Sequence, residues 1–440
     1  MISQEEILKL QHSADGSPWV NVVTSSSIDT NTLEYSSDGS PWTGIGPDSS
    51  GGSYTLTAAA GAFTLTGQAA GLLVALNLIA SAGSFTLTGN DAGLSRGVSI
   101  QADSGAFTLT GQDAGLTRSL RLTADPGAFT LTGQDITLTR ALKITADSGT
   151  YDLTGYAAGL LKSDVLTANT GTFTLTGSDA GLVKASKLTA DSGAFALTGQ
   201  DAGLLTGQRL TADPGTFTLT GYDAGLLRGE SLTADAGAFT LTGQDVGLIR
   251  AIRLTADAGA FTLTGGDVQF SQDGQLIASA GVFTLTGRDA GLLRALRLTA
   301  DAGSFTLTGS DAALSRGVSI QAGAGSYTLT GVEAGLIKAS KLTADAGAFT
   351  YTGYAAGLLN SDVLTANTGT FTLTGYDATF TVARVLPCDA GSYALTGQDA
   401  GLIRATIMQA GAGSYTLTGQ DAGLVYSGEE IFVPVVAFFY

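Results

Sequence analysis

Carboxylates are the residues of this chain best supplied to do chemistry, and most of them stand at two fixed points of a recurring pattern. One series runs Asp103, Asp125, Asp147, Asp191, Asp213; the other runs Asp91, Asp113, Asp135, Asp179, Asp201. Such rows could hold cations or act as paired catalytic acids. Aspartate is also favoured in turns for local hydrogen bonding, and turn capping is the expectation here. Carboxylates stacked one strand spacing apart repel by about 1 kcal/mol per pair in water, which a fold can carry and cations could relieve. The Gly-Gly-x-Gly-x-Asp calcium repeat is absent, so no metal site is expected.

The other reactive types are scarce. His12 is the single histidine and Cys388 the single cysteine, so neither a Ser-His-Asp or Cys-His arrangement nor a Cys/His metal cluster can be built. Cys388 stands where other copies have Ala344, Ala366 or Ala410, and reads as a small core filler. No glycine loop leads into a helix to cradle phosphate. No catalytic residue, cofactor or metal is expected, and the chain is not read as an enzyme. Basic residues form a row of their own: Arg96, Arg118, Arg140, Lys162, Lys184, Arg228, Arg250, Arg294, Arg316, Lys338 and Arg404. The expectation is a solvated edge that offsets the Asp rows and discourages edge-to-edge pairing.

What positions these rows is a repeat of 22 residues without insertion or loss. Its marker is an aromatic: Phe63, Phe85, Phe107, Phe129, Tyr151, Phe173, Phe195, Phe217, Phe239, Phe261, Phe283, Phe305, Tyr327, Phe349, Phe371, Tyr393 and Tyr415. Fixed periods of this size mark repeat architectures, in which each unit buries its apolar face against its neighbours. Along Phe261-Thr262-Leu263-Thr264 apolar and hydroxyl residues alternate, the signature of a strand with one face buried. Asp257-Ala258-Gly259 has turn chemistry, with Gly expected to supply a positive φ. Glycine at this density opposes helix by about 1 kcal/mol each. A one-residue slip would turn every side chain of a strand to the wrong face, which explains the strict interval.

The fold class is therefore all-β, an elongated array of 22-residue repeats. A β-solenoid is favoured, with one coil per copy, equivalent residues about 4.8 Å apart and an array about 80 Å long. Phe, Leu and Ala would form interior ladders and Thr exterior ones. The alternative is an intertwined, trimeric β-meander fibre in which each copy is a hairpin, because an open monomeric sheet of that many strands exceeds the common size.

Three regions are distinguished. Residues 1–52 carry two matching segments, Ser13 to Trp19 and Ser36 to Trp42, and are expected to be a β module or cap. Residues 53–428 are the array, and 429–440 an apolar cap or docking strand. Candidate docking residues are Phe432, Val433, Val435, Val436, Phe438, Phe439 and Tyr440, which could cap the last coil or add as a strand to a neighbouring subunit. Within the array Tyr156 to Phe173 returns nearly verbatim as Tyr354 to Phe371, and Ser95 to Ala102 returns as Ser315 to Ala322. Copying whole units suits a rod whose length is adjustable.

Composition limits partners. A formal net charge of −17 disfavours nucleic acid and suits a body that resists nonspecific association. No secretory signal and no membrane span are found in the sequence. No cofactor is called for, and self-association into an oligomer or filament is the expected partnership.

The units at 105–116 and 237–248, Gly-Ala-Phe-Thr-Leu-Thr-Gly-Gln-Asp-Ala/Val-Gly-Leu, resemble a repeat of tail-fibre and other virion structural proteins of tailed bacteriophages. The Ser-x-Asp-Gly-Ser-Pro-Trp segments look similar to the N-terminal parts of phage fibres. The resemblance implies a non-enzymatic fibre or appendage subunit, located in the virion or outside the cell, acting as a rod or spacer, with other virion proteins or host-surface glycans as partners. An alternative is an ice-binding solenoid, since outward Thr pairs (Thr108/Thr110, Thr218/Thr220, Thr240/Thr242) resemble the flat Thr arrays of such proteins. A further one is a polysaccharide-binding or -cleaving spike.

Overall fold

A computed structural model describes residues 62–424, except 67–68, 73–74, 95–96, 118, 161, 183, 205–206, 227–228, 293–294, 315–316, 337, 359–360, 382 and 403–404, and also residues 7–10, 20–23, 55–58, 431–432 and 436–439. The chain divides into two compact units, Met1–Ala185 with Leu197–Gly199, and Ser186–Ala196 with Gln200–Tyr440.

In the first unit one coil is built from three strands: Ala106–Thr110, the aromatic strand; Asp113–Leu116, the short strand; and Ser119–Ala124, the six-residue strand. The aromatic strand alternates as the sequence pattern demands, with Phe107 and Leu109 buried and Thr108 and Thr110 facing out. The short strand buries Ala114 and Leu116, and the third buries Leu122 and Ala124. Each of these three strands pairs in parallel with its counterparts one coil before and after. Phe107 lies opposite Phe85 and Phe129, Asp113 opposite Asp91 and Asp135, and Leu122 opposite Ile100 and Ile144.

The second unit repeats the scheme. Phe239 lies opposite Phe217 and Phe261, Asp245 opposite Asp223 and Asp267, and Leu254 opposite Leu232 and Leu276. In two coils the short and six-residue strands run together as one, Asp245–Ala256 and Asp267–Ala278. The architecture is thus a β-solenoid, and the hairpin of the meander alternative does not form, because each strand's partner is its copy in the next coil. Burying one aromatic and three Leu per coil, at about 1.5–3 kcal/mol each, together with the small buried Ala residues, holds the described coils together.

Corner geometry corrects one expectation. Gly259, Gly303 and Gly309 do not lie in the left-handed region, so these turns do not need glycine's left-handed freedom. They need its missing side chain. A Cβ on Gly303 would lie 2.2 Å from the carbonyl oxygen of Gly281 and 2.8 Å from Ala278 Cβ, and one on Gly309 would lie 2.4 Å from Gly287 O. Successive coils approach at these two corners to van der Waals contact between backbones, which any Cβ would prop apart.

The ends are described in part. Ile7–Leu10 pairs antiparallel with Val20–Val23, and Thr55–Ala58 opens the coiled region by pairing in parallel with the following coil. His12 and both tryptophan segments lie outside the described residues.

Candidate functional site

The coil geometry converts each repeat position into a column, so the candidate sites of this protein are columns. The interior one is aromatic. In the first unit Phe85, Phe107, Phe129, Tyr151 and Phe173 stack with ring centroids 4.7–5.0 Å apart. In the second, Phe195 to Tyr415 stack likewise, including Phe283 on Phe305 at 4.8 Å and Tyr393 on Tyr415 at 5.0 Å. Phe63 takes the same register position opposite Phe85.

Tyrosines in this column must place a hydroxyl in the core. Tyr393 donates to Leu364 O at 2.7 Å, and Tyr415 donates to Leu386 O. The Tyr151 hydroxyl is buried and has no hydrogen-bond partner among the described residues. Burial, then the nearby Asp147 carboxylate, hold that hydroxyl well above its ordinary pKa. Tyr351 enters the neighbouring Leu column between Leu329 and Leu373 and is likewise buried.

Cys388 is fully buried in the column of Ala366 and Ala410, the small-residue place its sequence context indicates. Its thiol is pushed up chiefly by burial, which disfavours the reactive thiolate.

The two acidic columns face outward, and backbone pairing already supplies the corner amides that capping would serve. The corner amides are already paired through the backbone: Asp125 N donates to Ala102 O at 2.8 Å and Asp113 N to Asn90 O at 2.9 Å. Asp103 accepts from Gln101 of its own coil, and three other carboxylates accept from side chains of adjacent coils. Asp147 accepts from Asn169, Asp345 from Gln321 and Asn367, and Asp257 from Ser279. Neutral donors therefore interrupt runs of like charge. Where Asp213, Asp235 and Asp257 succeed one another, the Asp235 carboxyl is raised by desolvation and by its two neighbours, with Arg209 opposing. Among the described residues no group of three or more His, Cys, Asp or Glu is gathered as metal ligands.

Of the basic row, Arg140, Lys162, Lys184 and Lys338 are exposed and Arg250 lies in the strand Asp245–Ala256, while Arg96, Arg118, Arg228, Arg294, Arg316 and Arg404 lie outside the described residues. A second basic column escaped the sequence reading: Arg121, Lys143, Lys187, Arg209, Arg253, Arg297 and Lys341, all exposed on the six-residue strand. Its signal was the residue just before the last Leu of each copy. Arg288 Nη2 lies 3.5 Å from Asp267 Oδ1 with both side chains largely in solvent, a pair worth little.

The corner between the aromatic and short strands carries a third column, also missed because its residue varies from copy to copy. It holds Gln200, Gln244, Ser310, Gln398 and Gln420 at some coils and exposed tyrosines at others, including Tyr156 and Tyr222. Gln398 donates to Gln420 at 2.9 Å, and Tyr354 stacks on Tyr376 at 4.9 Å.

The Thr columns stand in register: Thr240, Thr262, Thr284 and Thr306 pair in order, as do Thr242, Thr264, Thr286 and Thr308. Glycine on the short strand is unlike corner glycine. A Cβ on Gly247 would meet nothing within 4 Å, and Thr137, Gln269 and Thr379 occupy the same place in other coils.

The C-terminal segment pairs within its own chain. Phe432 lies opposite Gln409, Val436 opposite Tyr415, Phe438 opposite Leu417 and Phe439 opposite Thr418. It thus extends both sheets as a partial coil, while Val433, Val435 and Tyr440 lie outside the described residues. Among the described residues no helix is long and apolar enough to cross a membrane.

No protein-family model, no curated protein and no solved structure matches this chain.

Proposed function

We propose that the chain is a non-enzymatic structural subunit, a fibre or filament element of a tailed-bacteriophage virion whose coils act as a rigid spacer. One observation carries the reading: within each unit the coils with described pairing meet residue for residue, as in Phe107 on Phe129 in the first and Phe239 on Phe261 in the second. A scaffold built this way spends its residues on propagating one cross-section. The repeat resemblance at 105–116 and 237–248 points to the virion, and the acidic surface suits a particle component that must stay dispersed. Negative-stain microscopy with mass photometry tests it. Slender particles are expected, and deleting four whole units (residues 200–287) should shorten them by about 19 Å. Globular particles, or a length unmoved by the deletion, would refute the spacer. Antibodies to the chain should decorate an appendage of purified virions.

The Thr columns favour a second reading, ice binding. Hydroxyls repeat about 4.8 Å along the coils and about 6.6 Å along each strand, over Thr240 to Thr306 and Thr242 to Thr308. Thermal hysteresis at micromolar protein would support it, and its absence would remove it.

A further inference from the structure

The corner column is polar at most coils of the second unit, but on three consecutive coils it is not. Val332, Tyr354 and Tyr376 stand there 57%, 58% and 44% exposed. The two tyrosine rings lie 4.9 Å apart at an interplanar angle of 6°, so each is held by the other and little freedom remains to be lost on binding. The residue following each belongs to the acidic column: Glu333, then Ala355, then Asp377, in parallel register. The acids are two coils apart, and Ala355 leaves the flank of Tyr354 uncovered by a carboxylate.

Elsewhere on the same unit the cationic column has the matching interval. Arg253, Arg297 and Lys341 are exposed and successively two coils apart, with Gln275 and Ser319 on the coils between. Both intervals are set by the same coil rise, two strand spacings or about 9.6 Å. A second copy of this chain is therefore a partner whose cations meet Glu333 and Asp377 without strain. Guanidinium groups also pack favourably against tyrosine rings.

We propose that one copy docks on the side of another by seating its Arg253–Arg297–Lys341 column on the partner's Tyr354–Tyr376 corner, between Glu333 and Asp377. The formal net charge of −17 opposes indiscriminate association, so the contact depends on local opposite charge and weakens with salt. The two surfaces differ, which makes the contact heterologous: each copy retains one free half of each kind and can extend the assembly. The inference rests on the structural-subunit reading, and names the surface by which such subunits associate.

Sedimentation velocity on the full chain tests it with two variants, Y354S/Y376S and R253S/R297S/K341S. All five residues are exposed, and unchanged circular dichroism and Tm establish that each variant folds. Wild type is expected to associate at low salt and dissociate by about 0.5 M salt, where screening is nearly complete. Each variant alone should be monomeric. An equimolar mixture should form dimers and nothing longer, because each variant supplies the half the other lacks. Variants that associate like wild type, or a mixture that stays monomeric, would overturn the proposal. So would a wild type that is monomeric at all salts, including one whose tyrosine fluorescence shifts on adding oligosaccharide, which would assign the corner to a sugar. These outcomes leave particle length, the test of the spacer, untouched.

Discussion

Two ring stacks in the second unit share one geometry and differ in everything else. Phe349 and Phe371 stack at 4.8 Å and 3°, and Tyr354 and Tyr376, five residues further along the same coils, at 4.9 Å and 6°. The first pair is fully buried and the second stands in solvent. Parallel in-register backbone places like residues one strand spacing apart whether or not they touch the core. Stacking here is a consequence of register, and burial decides what a stack contributes.

That contrast can be broken most severely from the inside. Phe261→Ala should cost about 3–5 kcal/mol, the range for emptying a buried aromatic site, measured as a fall in the denaturant midpoint at constant slope. A loss below about 1 kcal/mol would mean the column is not the core. Tyr151→Phe sharpens the comparison within the buried column. It keeps the ring between Phe129 and Phe173 and removes a hydroxyl that has no partner, so stability should rise by about 1–3 kcal/mol. Tyr376→Ser, on the exposed stack, should change stability by no more than about 0.5 kcal/mol, and a Tm shift comparable with Phe261→Ala would erase the distinction.

The smallest effect concerns charge. The folded-state pKa of Asp235 is raised, so at neutral pH its ionisation opposes folding. That penalty is relieved as pH falls through the raised value and vanishes below the unfolded one. Asp235→Asn should therefore stabilise slightly at pH 7 and leave acid stability unchanged. A variant less stable than wild type at pH 7 would contradict this sign.

Much of this was open to view in the residues. Alternation along Phe261 to Thr264 announced a half-buried strand, and the unbroken interval announced stacked copies. The glycine explanation was misplaced, since Gly303 is required by the carbonyl of Gly281 in the coil before it, a contact no local turn rule contains. The aspartates at the corners were read as caps because sequence neighbours are what a single copy offers. Some of their partners, such as Asn169 for Asp147, lie one full coil away. Tyr354 and Tyr376 passed unnoticed for a similar reason: position by position the corner looks variable, and only register brings two of its tyrosines together.

Sequence alone determined the period, the strand alternation and the identity of the aromatic and acidic columns, because a β-strand allows only two faces and a fixed repeat returns each residue type to the same one. Which residues end up side by side on the surface, which glycines are indispensable and where a backbone corner satisfies its own amides were settled by tertiary structure. Those properties belong to contacts between coils, where atoms 22 residues apart come within one strand spacing of each other.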